Sequence, residues 1–138
     1  MRSFVDTNVL VYAVDRAEPV KGRAAASLLQ ERANDLVLSA QVLSEFYAVA
    51  TRRLAQPLSE ADAAALVDDL DRLPIVPVDV DLIRDGIRQS REGRLSYWDG
   101  LILAAARRAS CEVVLTEDLS HGAVIGGVRI ENPFLNPS

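Results

Sequence analysis

The amino-acid sequence predicts an α/β fold, a three-layer α/β/α sandwich around a mainly parallel central sheet. Three observations carry this. Short apolar runs alternate with helix-length stretches from one end of the chain to the other. Strands separated by helices need crossover connections, which make them parallel. The 138 residues, 49% hydrophobic and 25% charged, suffice to bury a core without staples. No repeat, low-complexity tract or linker interrupts the chain, so 1–138 reads as a single domain.

Ser3 to Asp6 reads as a short strand, and Val9 to Val14 continues as helix or turn. Pro19 to Ala33 is rich in Ala and Leu, with Pro19 placed to start a helix. Leu36 to Leu38 is a buried strand, after which Ser39 can cap a helix over about Ala40 to Leu54. Ser59 opens a helix that stops before Pro74. Ile75 to Val78 is a strand interrupted by Pro77, which places it at an edge. Asp79 to Glu92 is an amphipathic helix ended near Gly93. Ser96 to Ala109 is a helix and Val113 to Leu115 a strand. Ala123 to Ile130 gives one or two short strands around Gly126 and Gly127.

Net charge is -5, with an isoelectric point near 4.8. This argues against nucleic-acid binding through a general basic surface. It leaves room for an enzyme that meets phosphate through bound metal and a local arginine patch. Fourteen arginines stand against one lysine, Lys21; the guanidinium fork suits phosphate, although codon bias gives the same ratio. The single cysteine, Cys111, allows neither an internal disulfide nor a cysteine metal site and fits a reducing cytoplasm, the expected location. Asp6, Thr7 and Asn8 break the apolar start as no signal peptide would, and no apolar stretch approaches the ~20 residues that span a bilayer.

In open α/β sheets the working site lies beyond the carboxyl ends of the strands. Phe4-Val5 runs straight into Asp6-Thr7-Asn8, and Val113-Val114-Leu115 into Thr116-Glu117-Asp118. Acids thus follow two strands that should share a rim, although Asp and Thr also simply cap what comes next. Asp99 precedes Leu101 to Ala106, apolar on every face, and a buried helix start is a costly place for an unpaired acid. Ser96 and Asp99 also have capping-box spacing. Glu45 borders an apolar stripe of Val42, Phe46 and Val49, where a solvated edge residue would also sit. Crowded carboxylates resist ionising, and a divalent cation removes that penalty. Such a centre can activate water and hold phosphate. Thr7, Asn8 and Thr116 can orient the acids by hydrogen bonds, or can serve as turn and cap residues.

At these residues the sequence resembles PIN domains, specifically the VapC-type toxin ribonucleases of bacterial toxin–antitoxin pairs. Phe4-Val5-Asp6-Thr7-Asn8-Val9-Leu10 resembles the opening motif, Ser44-Glu45-Phe46 the helical glutamate motif, Tyr97-Trp98-Asp99 before Leu101-Ile102 the third, and Leu115-Thr116-Glu117-Asp118-Leu119 the fourth. The tail matches through Gly122, Gly127-Val128-Arg129-Ile130 and Asn132-Pro133-Phe134. The ordered set covers essentially the whole chain. The resemblance implies Mg²⁺-dependent cleavage of RNA, with Mn²⁺ able to substitute, a homodimer, and inhibition by a VapB-type antitoxin. It implies catalytic and metal-binding roles for Asp6, Glu45, Asp99 and Asp118. Asp6 and Asp99 are expected as direct ligands, and Glu45 and Asp118 partly through water. Glu117 neighbours Asp118, and Asp118 is favoured because the family's acid lies two residues after the threonine.

Arg84, Arg88 and Arg91 recur at helical spacing and either line an RNA path or form a solvated face paired with Asp81 and Asp85. Arg52 and Arg53 answer a helix dipole or meet an antitoxin tail. Trp98, beside a buried helix, reads as core rather than a base-stacking residue. Phe46 and Tyr47 fit a dimer face or the core equally. The acidic helix with Glu60, Asp62, Asp68, Asp69 and Asp71 reads as solvated surface, and His121, the only histidine, as a loop residue. A phosphatase of the aspartate-nucleophile class would want an acid where Asn8 stands. A receiver domain would need a lysine near the end of the chain. Neither fits.

Overall fold

The computed structural model describes residues 1–135; the last three residues of the expected domain lie outside the described residues. The first strand, β1 (Ser3–Val5), is fully buried, as befits a central parallel strand. Its chain continuation, Asp6, turns its carboxylate onto the backbone N–H of Thr7 and caps α1 (Thr7–Val14). The helix therefore starts two residues before Val9. Pro19 occupies the first turn of α2 (Pro19–Glu31). β2 (Leu36–Ser39) follows, and the Ser39 hydroxyl accepts from the Val42 N–H to cap α3 (Ala40–Arg52). Ser59 caps α4 (Glu60–Leu70) in the same way, and a turn fills the space before Pro74.

The expected strand after Pro74 shortens to β3 (Ile75–Val76), and it does lie at the sheet edge. Asp79 caps α5 (Val80–Gly93), and Ser96 caps α6 (Tyr97–Arg108). β4 (Val113–Leu115) precedes a hairpin of β5 (Val124–Ile125) and β6 (Val128–Glu131). The two-residue turn of this hairpin, Gly126 and Gly127, has φ of 58° and 84°, which glycine adopts freely. α5 ends at Gly93, as expected, but Gly93 is not the left-handed residue. Arg94 takes that conformation, at φ 54°, while a side chain on Gly93 would press on Leu95 at 3.3 Å. The glycine is kept for packing.

The six strands form one sheet in the order β3-β2-β1-β4-β6-β5, parallel except for β5 against β6. From β1 the chain steps outward to β2 and β3, then returns to β4 on the other side of β1. Right-handed crossovers place α1 to α4 on one face and α5 and α6 on the other. The contacts agree: α1 packs on α2 and α3, α3 on α4, and α5 on α6. One contiguous core runs through the sheet, with Phe4, Leu38, Leu103 and Leu115 fully buried. The expected α/β architecture with helices on both sides of a mainly parallel sheet is therefore present.

Two features of this frame place the site. The helices diverge between β1 and β4, which makes the crevice beyond their carboxyl ends the switch point of the sheet. In addition, α5 and α6 approach through glycines. A Cβ on Gly100 would collide with the Gly86 carbonyl oxygen and lie 2.8 Å from the Ser90 nitrogen. This close approach fixes the start of α6, where Asp99 sits.

Candidate active site

Val5 pairs with Leu115, so β1 and β4 end at the same level. Asp6 and Thr116 are then neighbours on one rim, and the Asp6 N–H donates to the Leu115 carbonyl at 3.0 Å. The buried Thr116 hydroxyl is fully used. It donates to Asp6 Oδ2 at 2.9 Å and accepts from Asn8 Nδ2 at 3.1 Å and the Asp118 N–H at 3.0 Å. Asn8 also donates to Asp118 Oδ2 at 3.1 Å and accepts from the Glu117 N–H at 3.3 Å. Thr7 donates to Glu45 Oε2 at 3.2 Å. Thus Thr7, Asn8 and Thr116 each touch at least one of the four acids.

Those acids come from four segments: the end of β1, the second turn of α3, the first turn of α6 and the loop after β4. All four line one cleft of about 890 Å³. Glu117 does not line it. Its carboxylate turns away, accepting from the Tyr12 hydroxyl at 2.5 Å and from Lys21 Nζ at 3.1 Å. The same ammonium lies 4.7 Å from the Tyr12 ring centre. This buckle leaves Asp118 as the acid of its motif that faces the cleft.

The electrostatics show strain between like charges. Burial pushes the Asp6 carboxyl up to about 6. Hydrogen bonds from Thr116 and the Thr7 N–H oppose that rise, while the charges of Asp118 and Glu45 add to it. Asp99 is also raised, first by burial, against a Ser96 hydrogen bond and with the charges of Asp118 and Glu45 behind it. Asp6 and Asp99 therefore both feel the charges of Glu45 and Asp118, and among the described residues Arg53 is the one cationic residue lining the cleft.

The donor set suits a hard divalent cation. It is all oxygen, it is over-charged, and a further acceptor waits beside it: Gln41 lines the cleft and donates to Glu45 at 2.8 Å, but its buried Oε1 has no partner. Among the described residues, no three acidic, histidine or cysteine side chains gather at metal-ligand spacing. Mg²⁺ does not require that, since it keeps several waters and takes one or two carboxylates directly.

The remaining sequence candidates fall elsewhere. Arg84, Arg88 and Arg91 line a separate recess of about 580 Å³ on α5, apart from the acids. Arg84 pairs with Asp81 at 3.5 Å and Arg88 with Asp85 at 3.1 Å, the solvated face that the spacing allowed. Phe46 is core, and His121 is an exposed loop residue whose Nδ1 accepts from the Asn132 N–H. Trp98 is not core: it is 62% exposed and lines the acid cleft. Position 98 precedes the inward turn of α6, so its side chain escapes the buried face that begins at Gly100. Gln41 is a polar cleft residue that sequence patterning did not single out, and Arg53, read there as a helix-dipole or antitoxin-tail arginine, also lines the cleft.

The order of these acids and their neighbours is also a family pattern. The PIN domain model matches residues 3–124. The chain belongs to the PIN-domain family. No curated protein matches the sequence. Among solved structures, this PIN domain is similar to a toxin–antitoxin complex from Klebsiella pneumoniae, with a TM-score of 0.72 at 20% identity over 96% of this chain and 98% of that one. It is similar to VapBC2 from Rickettsia felis, bound to a fragment of its promoter DNA, with a TM-score of 0.67 at 18% identity over 96% and 98%. It is also similar to VapC20 of Mycobacterium tuberculosis, a toxin that cleaves the sarcin–ricin loop, with a TM-score of 0.61 at 21% identity over 92% and 98%. At these identities the likeness establishes a shared fold. No helix among the described residues is long and apolar enough to cross a membrane.

Proposed function

We propose that this PIN domain is a Mg²⁺-dependent endoribonuclease, the toxin of a VapBC-type toxin–antitoxin pair, acting in the cytoplasm. The observation that carries the reading is the convergence of Asp6, Glu45, Asp99 and Asp118 on one cleft at the switch point of the sheet. The similar solved structures support the antitoxin partner and, through the toxin that cleaves the sarcin–ricin loop, an RNA substrate. A homodimer, with Mn²⁺ as an alternative metal, completes the reading.

Asp6 and Asp99 would hold the metal directly, with Glu45 and Asp118 acting partly through water. A metal held there would supply an activated water and neutralise phosphate charge. The chain supplies the rest. Thr116 and the Thr7 N–H hold the Asp6 carboxylate in one orientation. Thr7 and Gln41 fix the two oxygens of Glu45. Asn8 aims Asp118 inward while the Tyr12–Lys21 buckle keeps Glu117 out. Burial of Asp6 and Asp99 lets each hold a proton above the usual carboxylate range until a cation replaces it. Arg84, Arg88 and Arg91 are assigned a peripheral role, guiding RNA phosphates toward the cleft.

The test is cleavage of structured and messenger RNA by the purified protein. Cleavage is expected with Mg²⁺ or Mn²⁺, to stop on chelation, and to be lost in Asp6→Asn. Undiminished cutting by Asp6→Asn at the same metal concentration would reject the site.

A further inference from the structure

The acid cleft is also lined by apolar residues. Ala48, Val49, Val78 and Ile83 form an apolar wall, and Trp98 stands in the same cleft at 62% exposure. The indole is not loose. Tyr97 braces it edge-to-face, with ring centres 5.0 Å apart and planes at 65°. Arg53 is the one cationic residue lining the cleft. It caps the end of α3, eight residues beyond Glu45, or about 12 Å along the helix. None of the ion pairs among the described residues involves it.

We infer that Trp98 and Arg53 form a subsite for single-stranded RNA, Trp98 stacking on an unpaired base next to the cleavage point and Arg53 pairing with a phosphate further along the strand. This rests on the nuclease reading of the same cleft. The chemistry divides the substrate between the acids and the apolar residues. Four carboxylates repel bare phosphate unless a cation sits among them. A base has a neutral π-face, and the exposed Trp98 indole in this partly apolar cleft is a surface that can take it. Stacking requires a base free of its duplex partner, which selects loops and single strands over paired stems. The free guanidinium then answers a phosphate too far from the acids for the metal to neutralise.

Trp98 is the only tryptophan of the chain, so its fluorescence reads the stacking directly. The probe is a short single-stranded oligoadenylate, mixed with wild-type protein in Mg²⁺ by stopped flow so that the quench is read before cutting. Saturable quenching is expected. Inorganic polyphosphate, which has charge and no bases, should give none. In cleavage by protein with Asp6 intact, Trp98→Ala should raise KM about 5- to 100-fold with Mg²⁺ affinity and melting temperature unchanged, and Trp98→Phe should recover most of the loss. Arg53→Ala should raise KM and flatten its salt dependence, where Arg53→Lys keeps both. Equal quenching by polyphosphate, or an unchanged KM in Trp98→Ala, overturns the subsite. So does quenching that follows protein concentration instead of oligonucleotide, which would make Trp98 a contact between copies. Cleavage without quenching removes the subsite and spares the nuclease; quenching without cleavage does the reverse.

Discussion

Two charged regions of this PIN domain, one acidic and one basic, differ in construction. The acid cleft draws one carboxylate from each of four segments, separated by as many as 112 positions between Asp6 and Asp118. The arginine face of α5 draws three cations and their partners from a single helix. In the cleft, burial and mutual repulsion hold Asp6 and Asp99 above their ordinary range. On α5, each charge between Arg84 and Arg88 meets its opposite one turn away, in water. Such exposed pairs contribute little. Charges that a fold brings together at a cost stay raised in the free protein, whereas charges paired along one helix are answered locally and in water.

That contrast can be broken in several places. The largest effect is on catalysis. Asp6→Asn should lower RNA cleavage by about 10²–10³-fold or more, judged by single-turnover rates in Mg²⁺. An intact rate would mean that the convergence is incidental.

Next comes the frame that carries Asp99. Gly100→Ala forces a methyl against the Gly86 carbonyl and the Ser90 backbone, neither of which can yield. The cost should be about 3 kcal/mol in denaturant unfolding. Cys111 offers a second readout. Burial pushes its thiol up to about 11, so it should resist alkylation at neutral pH in the folded protein and react on unfolding. Faster labelling of Gly100→Ala is expected.

The third effect is electrostatic, in metal-free protein. Asp6 keeps its proton in the folded state up to about pH 6, whereas the unfolded chain gives it up near 3.8. Between these values the folded state binds the extra proton, so stability falls as pH rises from about 4 to about 6. The loss traceable to Asp6 is about 3 kcal/mol, and Asp6→Asn should remove it. A flat difference between the two proteins across this window would deny the strain.

The smallest effect is expected from α5. Replacing Arg84, Arg88 and Arg91 together by Ala should raise KM a few-fold at low salt and flatten the log–log salt slope by about 2, with kcat unchanged. A fall in kcat instead would give the arginines a place at the reacting phosphate.

The same division explains what could be read from the sequence. Asp6 and Asp118 were legible because an apolar run ending in acids marks a strand end, and the alternation of runs gave the parallel sheet. Asp99 had an equal local explanation as a capping-box residue, and Glu45 taken alone read better as a solvated edge residue; only their order beside the other motifs set them apart. Ser96 does cap α6, and Asp99 also lines the cleft, so the two explanations were not exclusive. Tertiary facts stayed hidden. Nothing local says that Gly86 faces Gly100, that Lys21 and Tyr12 hold Glu117 aside, or that the Gln41 carbonyl is left unpaired. Trp98 was misread because a helix with a buried body was taken to be buried from its first residue.

Under the proposed function, the crowded carboxylates of the cleft hold a cation. Mn²⁺ binding followed by electron paramagnetic resonance reads this directly, without RNA. Wild type and the Arg84, Arg88, Arg91 triple variant should bind alike, and Asp6→Asn and Asp99→Asn should each weaken binding about 10-fold or more. Equal Mn²⁺ affinity in wild type, Asp6→Asn and Asp99→Asn would contradict it.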